Sequence, residues 1–270
     1  MEQSAPEEIS VIIPTWNREL TILRAIESAL SQTHGYMEVL VCDDGSTDST
    51  EEIVRSIKDN RLKWLPGRRS GLPSVPRNRG IESSSGDWLA FLDSDDEWMP
   101  EKLEKQMALL SREGTLACSS NAYRATPQGG GEGEYLDYPA GSFPFSRLLK
   151  ENLVICSSVL LYKPLALRMG GFPESSELRG LEDYALWLRV ATECDFFFSD
   201  EPLLYYRDDP EGSVRKYDPG EHTQRMRVLT NFLEWGEKVS VSTDYLKPAR
   251  HEHRKACLLE GVHRLKSVLR

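Results

Sequence analysis

The chain has 270 residues, a formal net charge of −10, 39% hydrophobic and 28% charged residues. That length buries a substantial core, and the composition is that of a soluble globular protein. The acidic balance argues against nucleic-acid binding, no apolar run approaches a membrane span, and Met1 to Ser10 lacks the basic and apolar regions of a signal peptide, so a cytoplasmic location is expected.

Ile9-Ser10-Val11-Ile12-Ile13 reads as a buried strand, and Pro14-Thr15-Trp16-Asn17 as the turn after it. From Leu20, apolar residues recur at Leu23, Ile26 and Leu30, the spacing of an amphipathic helix. Val39 to Cys42 is a second strand, ending in Asp43-Asp44-Gly45-Ser46. Ser49 and Glu52 form a capping box for a helix whose buried stripe is Ile53, Val54 and Ile57. Leu62 to Leu65 suits a third strand. Residues 66–80, rich in Pro, Gly and Arg, read as a loop in which Arg77-Asn78-Arg79-Gly80 leads into a short helix. Leu89 to Leu92 is a strand, the helix from Glu101 stops at Gly114, and Leu116 to Ser120 is a further strand. This alternation of strand and helix implies a parallel, doubly wound α/β sheet.

Residues 125–142, with Gly129-Gly130-Gly131, read as a surface insertion, either a loop or an irregular hairpin. Val154 to Tyr162 looks like a strand, and Pro164 to Met169 like a helix ended by Gly170-Gly171. Residues 182–192 form a helix with Leu186, Trp187 and Val190 near one face. Phe196 to Phe198 and Leu203 to Tyr206 suggest two short strands, and the pattern is helical from about Gly220. The five cysteines are scattered, odd in number and without a Cys-x-x-Cys, which fits free buried thiols. Residues 247–270 hold seven Lys/Arg against two Asp/Glu, a surplus of +5, which leaves −15 on the other 246 residues. Leu258, Val262, Leu265 and Leu269 share one helical face there, a pattern that suits an anionic bilayer, a partner or packing on the rest of the chain.

Two strands end in paired carboxylates: Asp43-Asp44 and Asp93-Ser94-Asp95-Asp96. In a parallel sheet both groups lie along the C-terminal edge, where ligands bind in open α/β folds. Oxygen-only ligands suit Mg²⁺ or Mn²⁺ shared with substrate phosphates, and two acidic groups on one edge are costly without a cation or donors to balance them. Asp93 to Asp96 also suits an acidic turn ahead of the helix opened by Pro100 and Glu101.

The ordered set Val11 to Arg18, Asp43 to Asp48, Arg77-Asn78-Arg79-Gly80, Asp93-Ser94-Asp95-Asp96, Gly170-Gly171-Phe172 and Glu182-Asp183-Tyr184 resembles the family-two glycosyltransferases with the GT-A fold, over about residues 9–210. The resemblance implies a Rossmann-like, mostly parallel sheet flanked by helices. A GT-A domain would occupy 1–218, with a nucleotide-binding half at about 9–120 and an acceptor half at about 143–215, and 219–270 would be a C-terminal helical extension. It further implies an inverting transfer from a nucleotide-diphosphate sugar, with UDP-sugars leading, to a saccharide or lipid-linked acceptor, dependent on Mn²⁺ or Mg²⁺.

By that resemblance Pro14, Thr15, Trp16, Asn17, Asp43, Asp44, Arg77, Asp93 and Ser94 meet the nucleotide. Trp16 either stacks on the base, where the family usually has a tyrosine, or is a core aromatic; Asp44 accepts a base N–H, Asp43 shares that role or instead orients the loop, and Arg77 either reaches base or phosphate or is a solvated loop arginine. Asp95 contacts the metal, and Asp93 contacts ribose or metal. Asp183 is the candidate general base, because it would take the acceptor proton as the oxygen attacks. Its neighbour Glu182 projects about 100° away on a helix, and Glu182 and Trp187 are candidate acceptor contacts. The family often has a histidine after a Tyr-Arg pair; here Tyr206-Arg207 is followed by Asp208-Asp209, so Asp209 is the candidate third metal ligand. A nucleotidyltransferase is a rival reading, weakened by the absence of a Gly-rich, Lys-bearing loop after the first strand; a non-catalytic nucleotide-binding scaffold is another. Assembly of cell-surface polysaccharide or glycolipid is the expected setting, with 247–270 either packed on the catalytic domain or a partner, the reading slightly favoured, or in peripheral contact with the inner face of the membrane.

Overall fold

The computed structural model describes residues 8–125, 131–207 and 220–268. Its strands are β1 (Ile9–Thr15), β2 (Met37–Asp43), β3 (Leu62–Leu65), β4 (Trp88–Phe91), β5 (Glu97–Trp98), β6 (Ala117–Ala125), β7 (Gly131–Glu134), β8 (Gly141–Phe143), β9 (Leu160–Tyr162) and β10 (Phe196–Arg207). The helices are α1 (Ile22–Leu30), α2 (Thr50–Ser56), α3 (Ser74–Ser83), α4 (Lys102–Glu113), α5 (Phe145–Leu148), α6 (Lys163–Arg168), α7 (Glu182–Val190), α8 (Glu221–Lys238) and α9 (Thr243–Val268). One sheet runs in the order β3-β2-β1-β4-β9-β6-β10-β5, with β7 on β6 and β8 on β10.

The first four strands are parallel and buried on both faces, which is why they read as unbroken apolar runs. Alternate side chains still divide between the two faces. Ile12, Leu40, Leu89 and Phe91 enter the core shared with α5 to α8, whereas Val11, Ile13, Val39, Val41 and Ala90 enter the core shared with α1 and α4. The register sets Thr15 beside Asp43 and Ile12 beside Phe91, so the carboxylates that follow β2 and β4 emerge on one edge of the sheet.

The second half is mixed, so the whole sheet is the mostly parallel one expected, with the doubly wound alternation confined to its first half. β9 runs antiparallel to both β4 and β6, β6 and β10 are parallel, and β5 is antiparallel to β10. β10 is a single strand where two were expected: register shifts between Ser199, Pro202 and Tyr205 absorb the Pro and the exposed Asp200-Glu201 without breaking the pairing. Part of the 125–142 insertion is a hairpin strand, β7, on β6. Val154 to Val159 is not extended throughout, because Cys156–Ser158 forms a 3₁₀ turn. The loop at 66–80 is shorter than expected, since α3 already begins at Ser74; Pro76 fits its first turn, where no intrahelical N–H bond is lost. Ser49 stands at the start of α2 but its side chain caps nothing; Asp48 Oδ1 accepts from Thr50 N (3.1 Å) and Thr50 Oγ1 (2.6 Å) instead. Gly114 ends α4 at φ 64°, as expected.

α8 and α9 pack onto the second half through Val228, Leu229, Phe232, Leu246 and Ala249, and Phe145 lies 5.2 Å from Phe232 and 5.0 Å from Tyr245, ring to ring. Leu258 is exposed. Val262, Leu265 and Leu269 lie outside the residues whose side chains are described. No helix among the described residues is long and apolar enough to cross a membrane. All five cysteines are free; Cys42, Cys118 and Cys156 are buried and Cys194 and Cys257 half-buried.

α3 lies close against β1 and β2 because Gly80 has no side chain: a Cβ there would stand 2.6 Å from Ile12 Cγ2 and 2.9 Å from Cys42 Sγ. Ordinary helix propensity would favour alanine at this site by about 1 kcal/mol. Gly80→Ala is instead expected to destabilise by about 1–3 kcal/mol through overpacking, measured by urea denaturation; an unchanged or raised stability would contradict this seating of α3.

Candidate active site

A cleft of about 800 Å³ opens at the C-terminal edge of β1, β2 and β4 and continues over the second half of the sheet. Pro14, Thr15, Trp16, Arg18, Asp44, Arg69, Arg77, Asp93, Ser94, Asp95, Asp96, Cys156, Glu182 and Asp183 are among its walls. Most of the expected site residues are thus in one place, although not all with the expected roles.

The turn after β1 is tied to the turn after β2. Asn17, at φ 51°, accepts Thr47 N on its Oδ1 (2.8 Å), and its own N–H donates to Ser46 Oγ (2.9 Å). Asn17 therefore braces the two loops and does not line the cleft. Asp43 is similarly committed: its carboxylate accepts Gly45 N (2.9 Å), Ser46 N (3.1 Å) and Ser46 Oγ (2.5 Å), an Asx-type turn that shapes the loop. Asp44 faces the cleft. It accepts Ser70 N (2.8 Å), Ser70 Oγ (2.7 Å), Gly71 N (2.9 Å) and Arg69 Nη1. Trp16 is 42% exposed, so it is no core aromatic; the Arg69 guanidinium lies 3.7 Å from its ring centroid. Thr15 Oγ1 is buried in the cleft wall without a partner.

Arg77 corrects a second expectation. It is buried, and its Nη2 donates to Asp93 Oδ1 (2.5 Å) while its Nη1 donates to Glu182 Oε1 (2.7 Å). Its fork is spent on joining the two halves and does not extend toward a base. Glu182 is buried by the same pairing, and its Oε2 accepts Gly180 N (2.7 Å). It anchors the start of α7, and both its carboxylate oxygens are engaged within the protein, which disfavours the acceptor contact expected of it. Trp187 is fully buried among Phe91, Phe172 and Phe196, with centroids at 6.2, 5.8 and 5.4 Å, so it is a core residue and not an acceptor platform. One helical turn advances about 5.4 Å, enough to carry the face that holds Asp183 at the cleft down into the core.

Three carboxylates crowd the end of β4. Asp93 and Asp95 are partly exposed in the cleft, and Arg18 Nη2 lies 3.5 Å from Asp95 Oδ2. Asp96 is buried; its Oδ1 accepts Arg207 N (2.8 Å), and its Oδ2 is buried without a partner. Burial, and then the charge of Asp93, raises the Asp95 carboxyl; burial, and then Asp95 and Asp93, pushes Asp96 well above the usual carboxylate range. Ser157 steadies this turn: its Oγ accepts Asp93 N (3.0 Å), and its carbonyl accepts Trp98 Nε1 (2.8 Å). Among the described residues no group of three or more His, Cys, Asp or Glu forms a metal cage. Oxygen-only carboxylates in a cleft, with an unpartnered buried carboxylate oxygen beside them, do fit a hard cation whose shell is finished by phosphate oxygens and water. Asp209 lies outside the described residues.

Across the cleft stands Asp183, in the first turn of α7. Its Oδ1 accepts the N–H of Tyr184 (2.7 Å). Burial, and then the neighbouring charge of Glu182, pushes its carboxyl up to about 7, against the lowering influence of Arg77. A carboxyl tuned to that range suits proton abstraction near neutrality. Arg69 and Ser157 were not singled out from the sequence, and Arg18 and Asp96 stood there only within their motifs, without a role of their own; nothing in the spacing points to the contacts these four make.

The Arg77 bridge carries a stability prediction. Arg77→Met would leave Glu182 buried without its partner and free Asp93 to repel Asp95, at a cost of about 3–5 kcal/mol. The double variant Arg77→Met/Glu182→Gln should recover part of that loss in urea denaturation; strictly additive losses would contradict the bridge.

The family model described as Glycosyl transferase family 2 matches residues 10–159. The UDP-Glc:alpha-D-GlcNAc-diphosphoundecaprenol beta-1,3-glucosyltransferase WfgD of Escherichia coli is 33% identical over 233 residues, 84% of this chain and 87% of that protein. The crystal structure of S. aureus TarS 1–349 in complex with UDP-GlcNAc is similar with a TM-score of 0.73 at 21% identity, over 92% of this chain and 72% of that one. The mannosyltransferase PcManGT from Pyrobaculum calidifontis, in complex with GDP-Man and Mn²⁺, is similar with a TM-score of 0.59 at 18% identity, over 93% of this chain and 70% of that one. With the two acidic strand ends, the carboxyl across the cleft and the mixed sheet already in view, these likenesses agree on one assignment: the chain belongs to glycosyl transferase family 2, has the GT-A fold and is a glycosyltransferase.

Proposed function

We propose that the protein is an inverting glycosyltransferase that moves a sugar from a UDP-sugar to a hydroxyl of a lipid-linked saccharide in surface polysaccharide assembly. The observation that carries this reading is the placement of Asp183, with its carboxyl near 7, in the same cleft as Asp93 and Asp95. The E. coli relative is named for a UDP-Glc donor and a diphosphoundecaprenol-linked acceptor, which supports both substrate classes.

In this mechanism Trp16 offers its exposed face to the base, Asp44 accepts a base N–H, and Thr15 Oγ1 and Ser94 lie within reach of the nucleotide. Asp93 and Asp95 would hold Mn²⁺ or Mg²⁺, which as a Lewis acid offsets charge on the departing diphosphate. Arg18, beside Asp95, adds a positive charge on the same side. Asp183 takes the acceptor proton as the hydroxyl oxygen attacks the anomeric carbon from the face opposite the leaving group, which inverts the configuration. Arg77 keeps the two reacting sides in register through Asp93 and Glu182, without itself meeting substrate. Residues 1–218 form the catalytic unit in this reading and 219–270 an extension packed on it, whose basic 247–270 stretch favours peripheral contact with the anionic inner face of a membrane.

Asp183→Asn is expected to lower kcat by about 10²–10⁴-fold while UDP still binds. Full turnover in that variant, or product of retained configuration, would overturn the reading. The working form of Asp183 is the carboxylate. Because burial raises its titration from 3.8 to about 7, kcat/KM should rise as pH increases from about 6 to 8 and level off above; a profile already flat at pH 6 would contradict its role.

A further inference from the structure

We propose that Arg69 occupies the nucleobase slot of the donor-free protein and is the group that an incoming base must displace. The proposal rests on the reading of Trp16 and Asp44 as the base subsite, and adds a residue that sets how readily that subsite opens.

The geometry is that of a stand-in. The guanidinium is a flat, N–H-bearing plane, and it lies 3.7 Å from the Trp16 ring centroid. The same group donates through Nη1 to Asp44 Oδ2. A base with a ring N–H, such as uracil, thymine or guanine, would make the same pair of contacts: a π-face on the tryptophan and one N–H on the carboxylate.

Asp44 cannot take a base without giving something up. A carboxylate offers about four acceptor sites. Here Oδ1 accepts Ser70 N and Ser70 Oγ, and Oδ2 accepts Gly71 N and Arg69 Nη1. The Ser70 and Gly71 donors sit on a segment that is clamped to the loop after β2. Gly45, at φ 76°, lets the two backbones touch; a Cβ on it would stand 2.8 Å from Arg69 N. The Arg69 side chain is different, because it is 38% exposed and can leave by a rotamer change without moving its backbone. The exchange is selective: a base carrying a ring N–H restores the bond that Arg69 gives up, whereas one without it leaves a buried acceptor short of a donor.

Removing the plug should therefore tighten base binding. An exposed cation–π contact together with a half-exposed ion pair is worth about a three- to tenfold change in Kd. The experiment is calorimetric titration of the full chain with uridine and with UDP plus Mn²⁺, for native protein, Arg69→Ala, Arg69→Gln and Asp44→Ala. The expected result is about three- to tenfold tighter binding of both ligands to Arg69→Ala and Arg69→Gln, and loss of uridine binding in Asp44→Ala. Weaker or unchanged binding in both Arg69 variants overturns the plug, a loss confined to UDP placing Arg69 on the phosphates; a gain confined to UDP also overturns it, because Arg69 would then obstruct the diphosphate and not the base. Loss of binding in Asp44→Ala alongside unchanged Arg69 variants sinks this proposal while leaving the base subsite intact. Failure of the native protein to bind UDP sinks both. Thermal melting of the Arg69 variants, expected within about 2 °C of native for a surface side chain, confirms that binding is compared between folded proteins.

Discussion

Like charges forced together at the end of β4 are the constraint on which the rest of this molecule depends. Asp93, Asp95 and Asp96 stand within one turn of chain, and the last is buried. Such a group is costly unless opposite charge and hydrogen-bond donors surround it. The fold supplies them from every side: Arg77 from α3, Arg18 from the turn after β1, Ser157 from the 3₁₀ turn before β9, and the Arg207 backbone from the end of β10. The compensation is partial, because Asp95 and Asp96 still titrate above the usual range and one Asp96 oxygen has no partner. What the cleft receives is a pair of partly exposed carboxylates, Asp93 and Asp95, the oxygen donors that suit a hard cation shared with a diphosphate.

The same compensation joins the two halves of the chain. Arg77 reaches from the nucleotide side to Glu182 at the head of α7, and the residue after Glu182 is the candidate base. The charge that steadies the proposed donor site thereby also fixes the start of the helix that carries Asp183, the proposed base. Glu182, next to it, helps to raise the Asp183 carboxyl toward neutrality. One buried guanidinium thus holds the start of a helix whose Asp183, 90 residues along the chain, lines the same cleft as the turn at Asp93 to Asp96.

Much of this was legible in the sequence where burial leaves a simple mark. β1, β2 and β4 are covered on both faces and so appear as short apolar runs ending in acids. Gly114 is a stop because only a residue at ease with positive φ fits there. Contacts made across long separations left no such mark. Helical periodicity separates Glu182 from Asp183 by about 100° but does not say which one faces the cleft; Arg77, 105 residues earlier, decides it. Trp187 looked like an aromatic platform because it follows Asp183 by one turn, yet Phe91 and Phe172 enclose it. Val154 to Tyr162 is apolar enough for a strand, but the segment must turn at Cys156–Ser158 to bring Ser157 under the acidic loop. β10 read as two strands because Pro202 marks a break in composition that the ladder bridges with irregular register.

The central claim, that the residual charge of Asp93 and Asp95 holds a cation only together with a nucleotide diphosphate, is tested most directly by anomalous diffraction at a manganese edge. Crystals soaked in Mn²⁺ with UDP should show a strong peak beside Asp93 and Asp95 that contacts the diphosphate, and the peak should be weak or absent with Mn²⁺ alone. A full-strength peak without UDP, or UDP bound in the cleft with no cation near either carboxylate, would contradict the account.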